Sequence, residues 1–245
     1  MPRRKTGIIL AYDKSTFTDE DEILLNKLGP YIELVKVGLE AMGAGSGDDG
    51  FTVADMVSSY ADDELGKGSM WDAKIHDIGT TVDKAIRNIV VGRSSIKMLT
   101  VHAAMSDEAL NLANVACAQA NVTALAVTVL TDIDEAQCKL RFGGNPLDVV
   151  ESLAQNAKNI GIRGLVCSPK ELLRVNDMGM ITVIPGIRPA WAAANDQKRV
   201  MTPSEAVKAG ADYIVIGRPI LQPPAGMTPV DAAKRIRDEL DEAAA

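Results

Sequence analysis

The sequence has few aromatic residues and no concentrated positive charge. Aromatic residues make up 4% of its 245 residues, which argues against the stacking platforms that bind single-stranded nucleic acid. The formal net charge is −7, and the lysines and arginines form no long block, so nonspecific binding to nucleic acid or to an anionic membrane has little support. We therefore expect no nucleic-acid and no membrane partner, and any anionic ligand has to be met by local positive charge.

Cysteines are too sparse to predict a disulfide framework or a structural zinc site. Cys117, Cys138 and Cys167 are an odd number at wide spacings, without a CxxC pair or a nearby histidine cluster. No apolar run approaches the ~18 residues of a membrane span. The basic start of the chain lacks the apolar segment of a secretion signal, because Asp13 and Lys14 interrupt it. We expect a cytoplasmic protein.

Short apolar runs alternate with longer amphipathic segments along the whole chain, which is typical of repeated βα units around a parallel sheet. The predicted strands are residues 7–13, 31–37, 69–75, 96–102, 123–130, 164–167, 181–184 and 213–216. A first helix is predicted after Thr18, with Asp21 at the capping-box position. The other predicted helices include residues 53–65, 82–91, 107–119, 147–159, 203–209 and 231–243.

Eight βα units in this length predict one α/β domain over residues 1–245, folded as a single (β/α)8 TIM barrel. An open, doubly wound sheet is the alternative. That fold is expected to carry a GxGxxG turn directly between its first strand and the next helix, and none follows residues 7–13 of this sequence.

The densest polar cluster is Asp72-Ala-Lys-Ile-His-Asp-Ile-Gly-Thr-Thr81, at the end of the third predicted strand. Asp72 and Lys74 are two residues apart, so their side chains share one face of the strand, which is the inside of a barrel. Asp77 brings a second carboxylate near the same ammonium. A structural ion pair also explains the cluster, but TIM-barrel active sites are built at this end of the strands.

Asp13 and Lys36 stand near the ends of the first two predicted strands. Together with the third strand they predict an alternating Asp-Lys-Asp-Lys-Asp array around the mouth of the barrel. Neighbouring opposite charges keep lysines protonated and carboxylates ionised despite burial. Such an array suits charge stabilisation and proton donation by a lysine.

A second cluster has the composition of a phosphate site. Pro185-Gly-Ile-Arg-Pro189 follows the seventh strand, Gln197 lies in the same loop, and Gly217 and Arg218 follow the eighth strand. In TIM barrels these two loops commonly hold a phosphate, which backbone N–H groups and a bidentate arginine bind. Arg188, Gln197, Gly217 and Arg218 suit that role, although a plain strand-ending turn explains Gly217 and Arg218 as well.

The remaining candidates are weaker. Thr131 and Ser168 also follow strands, where a hydroxyl can contact a substrate or cap the next turn. His76 and His102 lack partners at metal-ligand spacing, so we expect packed or hydrogen-bonded histidines and no metal site. The GxSxG and GxxxxGK[ST] motifs are absent, which leaves triad hydrolysis and P-loop nucleotide chemistry without support.

These motifs together resemble a known family. The stretch from Asp72 to Thr81 resembles the DxKxxDIxxT signature of orotidine 5′-monophosphate decarboxylases. Four later segments resemble the end of the family's bacterial branch: Ile184-Pro-Gly-Ile-Arg-Pro189, Asp196-Gln197, Arg199-Val-Met-Thr-Pro203 and Val215-Ile-Gly-Arg-Pro219. The sequence departs from the pattern at Gly79, where proline is usual, in the long segment 43–68, and at Trp191.

The resemblance implies a homodimeric TIM barrel that decarboxylates orotidine 5′-monophosphate to UMP in the last step of de novo UMP biosynthesis, without metal or organic cofactor. It implies that Lys74 protonates C6 of the pyrimidine and that Asp72 lies beside the departing carboxylate. It also implies that Lys36 of the same subunit and the partner subunit's Asp77 complete the network. The implied substrate-binding residues are Asp13, Lys36 and the partner's Thr81 at the ribose, Thr131 and Ser168 along the substrate, Arg188, Gln197, Gly217 and Arg218 at the phosphate, and Pro185.

Two other functions remain open on the sequence. The related 3-keto-L-gulonate 6-phosphate decarboxylases and hexulose-phosphate synthases have a similar DxKxxD motif, and Gly79 leans toward them. They bind Mg²⁺ through further acidic residues and lack the Ile-Arg-Pro…Asp-Gln pair. A non-catalytic barrel that binds phosphorylated metabolites would keep Arg218, while its charged array served stability alone.

Overall fold

Eight parallel strands close into a barrel in the order β1 to β8. The computed structural model describes residues 5–45, 50–192 and 201–245. The strands are β1 (Gly7–Tyr12), β2 (Leu34–Val37), β3 (Ser69–Ile75), β4 (Ile96–His102), β5 (Thr123–Val127), β6 (Gly164–Val166), β7 (Ile181–Ile184) and β8 (Tyr213–Ile216). The prediction of a (β/α)8 barrel is confirmed.

Helices cover the outside of the barrel. They are α1 (Asp19–Leu28), α2 (Leu39–Gly43), α3 (Val53–Asp63), α4 (Gly79–Val90), α5 (Asp107–Gln119), α6 (Glu135–Phe142), α7 (Pro146–Ile160), α8 (Leu172–Val175), α9 (Pro203–Ala209), α10 (Arg218–Leu221) and α11 (Pro229–Ala244). Within the described ranges, none of them is long and apolar enough to cross a bilayer.

Capping side chains define several helix starts. The predicted cap of α1 is confirmed, because the Thr18 N–H donates to Asp21 Oδ2 over 3.1 Å. Thr228 caps α11 in the same way, with Asp231 as its partner. Such reciprocal bonds satisfy N–H groups that have no partner inside the helix.

The predicted starts of β2 and α4 are wrong, and helix α6 was not predicted. The second strand begins at Leu34, because residues 29–31 form a 3₁₀ turn before it. Helix α4 begins at Gly79, three residues before the predicted start. Helix α6 was not predicted, since Cys138 is its one buried residue and the helix therefore has little apolar periodicity.

The inside of the barrel is filled by alternate residues of the strands. This inner cluster consists of Ile9, Ala11, Leu34, Met70, Met98, Leu125, Val183, Tyr213 and Val215. Since successive side chains of a strand point to opposite faces, residues two positions further along point the same way. The inner rows therefore lead from this apolar cluster to polar side chains at the carboxyl ends of the strands.

The first and last strands of the barrel pair with each other and close the sheet. Strand β1 pairs with β8, with Gly7 opposite Tyr213 and Leu10 opposite Ile216. Helix α11 holds the same seam from outside, because Arg237 donates to the carbonyl oxygen of Thr6 over 2.8 Å.

Candidate active site

Four charged side chains meet at the carboxyl ends of β1, β2 and β3. The Nζ atom of Lys36 lies 2.7 Å from Asp13 Oδ1 and 3.6 Å from Asp72 Oδ2. The Nζ atom of Lys74 lies 2.8 Å from the same Asp72 oxygen. The predicted alternation is therefore continuous from Asp13 through Lys36 and Asp72 to Lys74, and we call these four residues the charged array.

The array is most deeply buried at its centre. The Asp72 side chain is 15% exposed and that of Lys74 is 35% exposed. Burial alone would raise the pKa of the Asp72 carboxyl, but the charges of Lys36 and Lys74 and the hydrogen bonds to it outweigh burial and hold that pKa below its usual value. Asp72 is therefore a carboxylate at neutral pH, held between two ammonium groups.

Strand β3 is distorted where it carries Asp72 and Lys74. Trp71 pairs with Leu99 and Ile75 pairs with Val101, so three residues of β3 lie opposite one residue of β4. Within this bulge Lys74 has a φ of 48°, in the left-handed region. The bulge turns Lys74 out of the regular ladder and gives its side chain access to the array.

The residue of β4 opposite the bulge is Thr100, which the sequence analysis did not select. Its Oγ1 accepts the Lys74 N–H at 2.8 Å and donates to Asp72 Oδ1 at 3.0 Å. Thr100 is fully buried. The signal was present in the sequence, because Thr100 is two residues after the inner residue Met98 and is polar.

Two cavities meet at the charged array. The smaller, of about 150 Å³, is bounded by Lys36, Asp72 and Lys74 on one side. Its other walls are mostly apolar: Met70, Val127, Val129, Leu130, Thr131, Val166, Cys167, Pro185 and Val215. A largely apolar recess with a few charged groups at one side is the usual form of a small-molecule site.

The larger cavity, of about 610 Å³, contains the predicted phosphate residues that the structure describes. It shares Lys36, Asp72, Lys74 and Pro185 with the smaller one and extends to Arg188, Gly217 and Arg218. Gln197 lies outside the described residues, so its predicted place stays untested. The structure thus brings both predicted clusters to one continuous space.

Local geometry fixes the phosphate side of this space. The Arg188 N–H donates to the carbonyl oxygen of Met201 at 2.9 Å, which joins the two ends of the loop after β7. A Cβ atom at Gly217 would lie 3.1 Å from Ala11, so glycine lets the end of β8 lie directly against β1. Arg218 follows as the first residue of α10.

The two hydroxyl candidates lie in different surroundings. Thr131 lines the smaller cavity. Ser168 is fully buried, and its hydroxyl donates to the buried carboxylate of Glu171. Its neighbour Cys167 lines the smaller cavity, so this segment of the chain runs along the cavity wall.

Asp77 forms no ion pair with Lys74 of the same chain, so a pairing between these two residues within one chain is not observed. Lys74 pairs with Asp72 instead. The chain turns after β3, and Asp77 Oδ1 accepts the N–H of Ile78 at 2.7 Å, where α4 begins. Asp77 and Thr81 are both exposed, and Ile78 between them is 69% exposed.

Gly79 has a packing role at this turn. It is buried, and a Cβ atom there would lie 3.0 Å from Cδ1 of Leu112 on α5. Glycine therefore lets the start of α4 lie close against α5.

The two histidines stack on each other beside the array, with His76 exposed and His102 half-buried. The ring centroids of His76 and His102 are 5.0 Å apart, with 16° between the ring planes. Burial lowers the pKa of His102, and the neighbouring His76 and Lys74 lower it further. In the described part of the chain, no group of three or more His, Cys, Asp or Glu side chains is arranged to hold a metal ion.

The chain matches a sequence model described as "Orotidine 5'-phosphate decarboxylase / HUMPS family" over residues 6–236. It is 36% identical to an orotidine 5′-phosphate decarboxylase of Rhodopseudomonas palustris (strain BisB5), across 99% of this chain and 97% of that protein. The enzyme of the same name from Anaeromyxobacter sp. (strain K) is 40% identical, across 94% and 96% of the two chains.

Solved structures agree with these sequence matches. The crystal structure of orotidine 5′-phosphate decarboxylase from Lactobacillus acidophilus superposes with a TM-score of 0.74 at 28% identity, covering 98% of this chain and 99% of that one. The decarboxylase of Methanocaldococcus jannaschii, complexed with the inhibitor BMP, gives a TM-score of 0.74 at 16% identity, covering 97% and 100%. The second likeness concerns the fold alone.

Proposed function

The chain belongs to the orotidine 5′-phosphate decarboxylase / HUMPS family, and from this premise we propose that it is a carboxy-lyase that converts orotidine 5′-monophosphate to UMP and CO₂. This reaction is the last step of de novo UMP biosynthesis. The observation that carries the proposal is the continuous charged array at the mouth of the barrel, beside an apolar recess and an arginine-lined cavity.

The array supplies the charges that the reaction needs. Loss of CO₂ from C6 of the pyrimidine leaves a carbanion with little stabilisation of its own, so the enzyme has to favour negative charge at C6 over charge on the carboxylate. We assign Lys74 to stabilise this charge and then to donate its proton to C6. Ionised Asp72 repels the substrate carboxylate and holds the Lys74 ammonium in place through their ion pair at 2.8 Å.

The remaining residues bind the parts of the substrate that do not react. We assign Arg188, Gln197, Gly217 and Arg218 to the phosphate, with Pro185 beside them. Asp13 and Lys36 bind the ribose hydroxyls, and Thr131 and Ser168 lie along the substrate. Binding energy gained far from C6 holds the reacting groups in place. No step requires a metal or an organic cofactor, since side chains supply every charge.

We also propose a homodimer whose two sites are shared. Asp77 and Thr81 then reach the array of the neighbouring subunit, Asp77 joining the charged network and Thr81 the ribose. Their exposure and the exposed Ile78 between them support an interface at this turn. The whole chain acts as one decarboxylase domain. We place it in the cytoplasm, and its three buried cysteines, none of them in a disulfide, fit a reducing compartment.

Adding orotidine 5′-monophosphate to protein treated with a chelator tests substrate, reaction and cofactor independence together. We expect the absorbance of the orotate ring to fall as UMP forms, at a rate that added Mg²⁺ does not change. Strict dependence on Mg²⁺ would contradict this mechanism and favour the chemistry of the hexulose-phosphate synthases. A protein that binds UMP but turns over no substrate would favour a non-catalytic phosphometabolite-binding barrel.

A further inference from the structure

The bulge in β3 carries Asp72 and Lys74 of the array, and the hydroxyl of Thr100 on β4 makes a hydrogen bond to each of them. We propose that Thr100 is a positioning residue of the active site, which fixes the Lys74 backbone and the Asp72 carboxylate so that the lysine ammonium and the carboxylate meet. The proposal rests on the proposed decarboxylation for its kinetic part. Its structural part is independent of any activity.

The two hydrogen bonds of Thr100 fix the direction in which its hydroxyl proton points. The oxygen accepts the Lys74 N–H at 2.8 Å, so the hydroxyl proton has to point to another acceptor. Asp72 Oδ1 is that acceptor, at 3.0 Å. Because Thr100 is fully buried and β-branched, water does not replace the bond and the side chain has few alternative rotamers.

The Lys74 N–H needs this partner because of the bulge. Three residues of β3 face one residue of β4. Strand β4 therefore cannot offer a backbone carbonyl oxygen to every N–H group of the bulge. A φ of 48° is also unfavourable for a residue with a Cβ atom. Such a conformation persists only where surrounding contacts determine it, and the Thr100 hydroxyl is one of those contacts.

The same hydroxyl sets the rotation of the Asp72 carboxylate. Oδ1 is bonded to Thr100, while Oδ2 faces Lys74 at 2.8 Å and Lys36 at 3.6 Å. Without Thr100, Oδ1 would be a partly buried carboxylate oxygen with one bond fewer, and the group would be free to turn away from the lysines. The hydroxyl also contributes to the lowered pKa of Asp72.

The variant Thr100→Val removes the hydroxyl and keeps the shape. We expect kcat for orotidine 5′-monophosphate to fall about 10- to 100-fold, because a hydrogen bond to a charged group is lost. KM should change by no more than about threefold, since the phosphate contacts remain. The acidic limb of the kcat profile should move to higher pH, because Asp72 loses a bond that favours its ionised form. Thr100→Ser should restore kcat and return the acidic limb of the profile to its wild-type pH.

Thr182→Val is a matched control. Thr182 is also buried, accepts a backbone N–H from Asp212 at 3.0 Å and donates to Asp212 Oδ2 at 3.1 Å. It makes the same two kinds of bond as Thr100, but between β7 and the start of β8, away from the charged array. We expect a comparable loss of unfolding free energy with unchanged kcat and an unchanged acidic limb.

Amide hydrogen exchange of Lys74 tests the structural part without turnover. We expect the Lys74 N–H to exchange at least about tenfold faster in Thr100→Val than in the wild type and in Thr100→Ser. If the Val variant does not fold, Thr100→Ala takes its place in both comparisons. Unchanged exchange, an unchanged acidic limb, or a Ser variant as slow in catalysis as the Val variant overturns the proposal. A wild type without decarboxylase activity would overturn the proposed function and leave the exchange result to decide on Thr100.

Discussion

At the scale of single residues, Lys74 combines two demands. Its ammonium pairs with Asp72, and its backbone takes the left-handed conformation at the bulge of β3. The proposed proton transfer needs a lysine side chain, but the Cβ atom of that side chain makes this backbone conformation unfavourable. Substitutions at position 74 can separate the two demands.

Lys74→Ala should lower kcat for orotidine 5′-monophosphate by several orders of magnitude, because the proton donor and the charge at C6 are both lost. Binding of UMP should persist, since Arg188 and Arg218 are unchanged. Steady-state kinetics and calorimetric UMP titration measure the two effects. Lys97→Ala is the control, because Lys97 pairs with Asp62 away from the site, at 3.1 Å. Retained activity in Lys74→Ala would refute the assignment of the acid.

Lys74→Gly should be more stable to urea than Lys74→Ala by about 1 kcal/mol, although both lack the ammonium. Glycine adopts a φ of 48° without the steric cost that alanine meets. Equilibrium unfolding of the two inactive variants measures the difference. Equal stabilities would mean that position 74 does not keep its left-handed conformation.

At the scale of elements, all eight strands were predicted from the sequence, and four of them with the correct bounds. Strands of a parallel barrel read as mostly apolar runs, and β3, β4, β7 and β8 were predicted to the residue. Asp13, Lys36, Asp72 and Lys74 were found because they follow or end such runs. The bulge in β3 was not predicted, because it depends on the pairing with Thr100 of another strand.

The loops were harder to predict for a similar reason. Asp77 was expected to approach Lys74 from its spacing, but its carboxylate bonds to the start of α4. Gly79 read as a departure from the family's turn, whereas its structural role is contact with Leu112 of α5. Both outcomes are set by packing between elements, which a single sequence does not display.

The stacked histidines join the ends of β3 and β4 and should make stability sensitive to acid. The folded pKa of His102 is lowered, so protonation favours the unfolded chain. The stability contribution is present above the unfolded pKa of about 6.5 and is lost as the pH falls through the folded pKa. Urea unfolding between neutral and mildly acidic pH should therefore show a smaller pH dependence in His102→Gln than in the wild type. An equal dependence would contradict this origin of the effect.

At the scale of the whole molecule, an acidic protein presents a local positive site. The net charge is −7, yet Lys36, Lys74, Arg188 and Arg218 line one cavity. This concentration meets a substrate that carries both a phosphate and a carboxylate. The aspartates of the array are in part the counter-charges that keep its lysines in place.

A shared site predicts complementation between two inactive variants. Mixing Lys74→Ala with Asp77→Ala subunits should create dimers with one native site, and random exchange should restore about a quarter of all sites. Activity after mixing, with exchange verified by native mass spectrometry, measures the recovery. No recovery after verified exchange would count against Asp77 acting across the interface.

The closure of the barrel by β1 and β8 has a consequence for the order of folding. Strand β1 is made early, yet the partner of one of its edges, β8, follows about two hundred residues later. At about 5–20 residues per second, that edge stays unpaired on the ribosome for roughly 10–40 s. During this time it is an open edge of the kind that pairs with other chains. Synthesis of β8 and α11 is therefore the step that ends the nascent chain's exposure to aggregation.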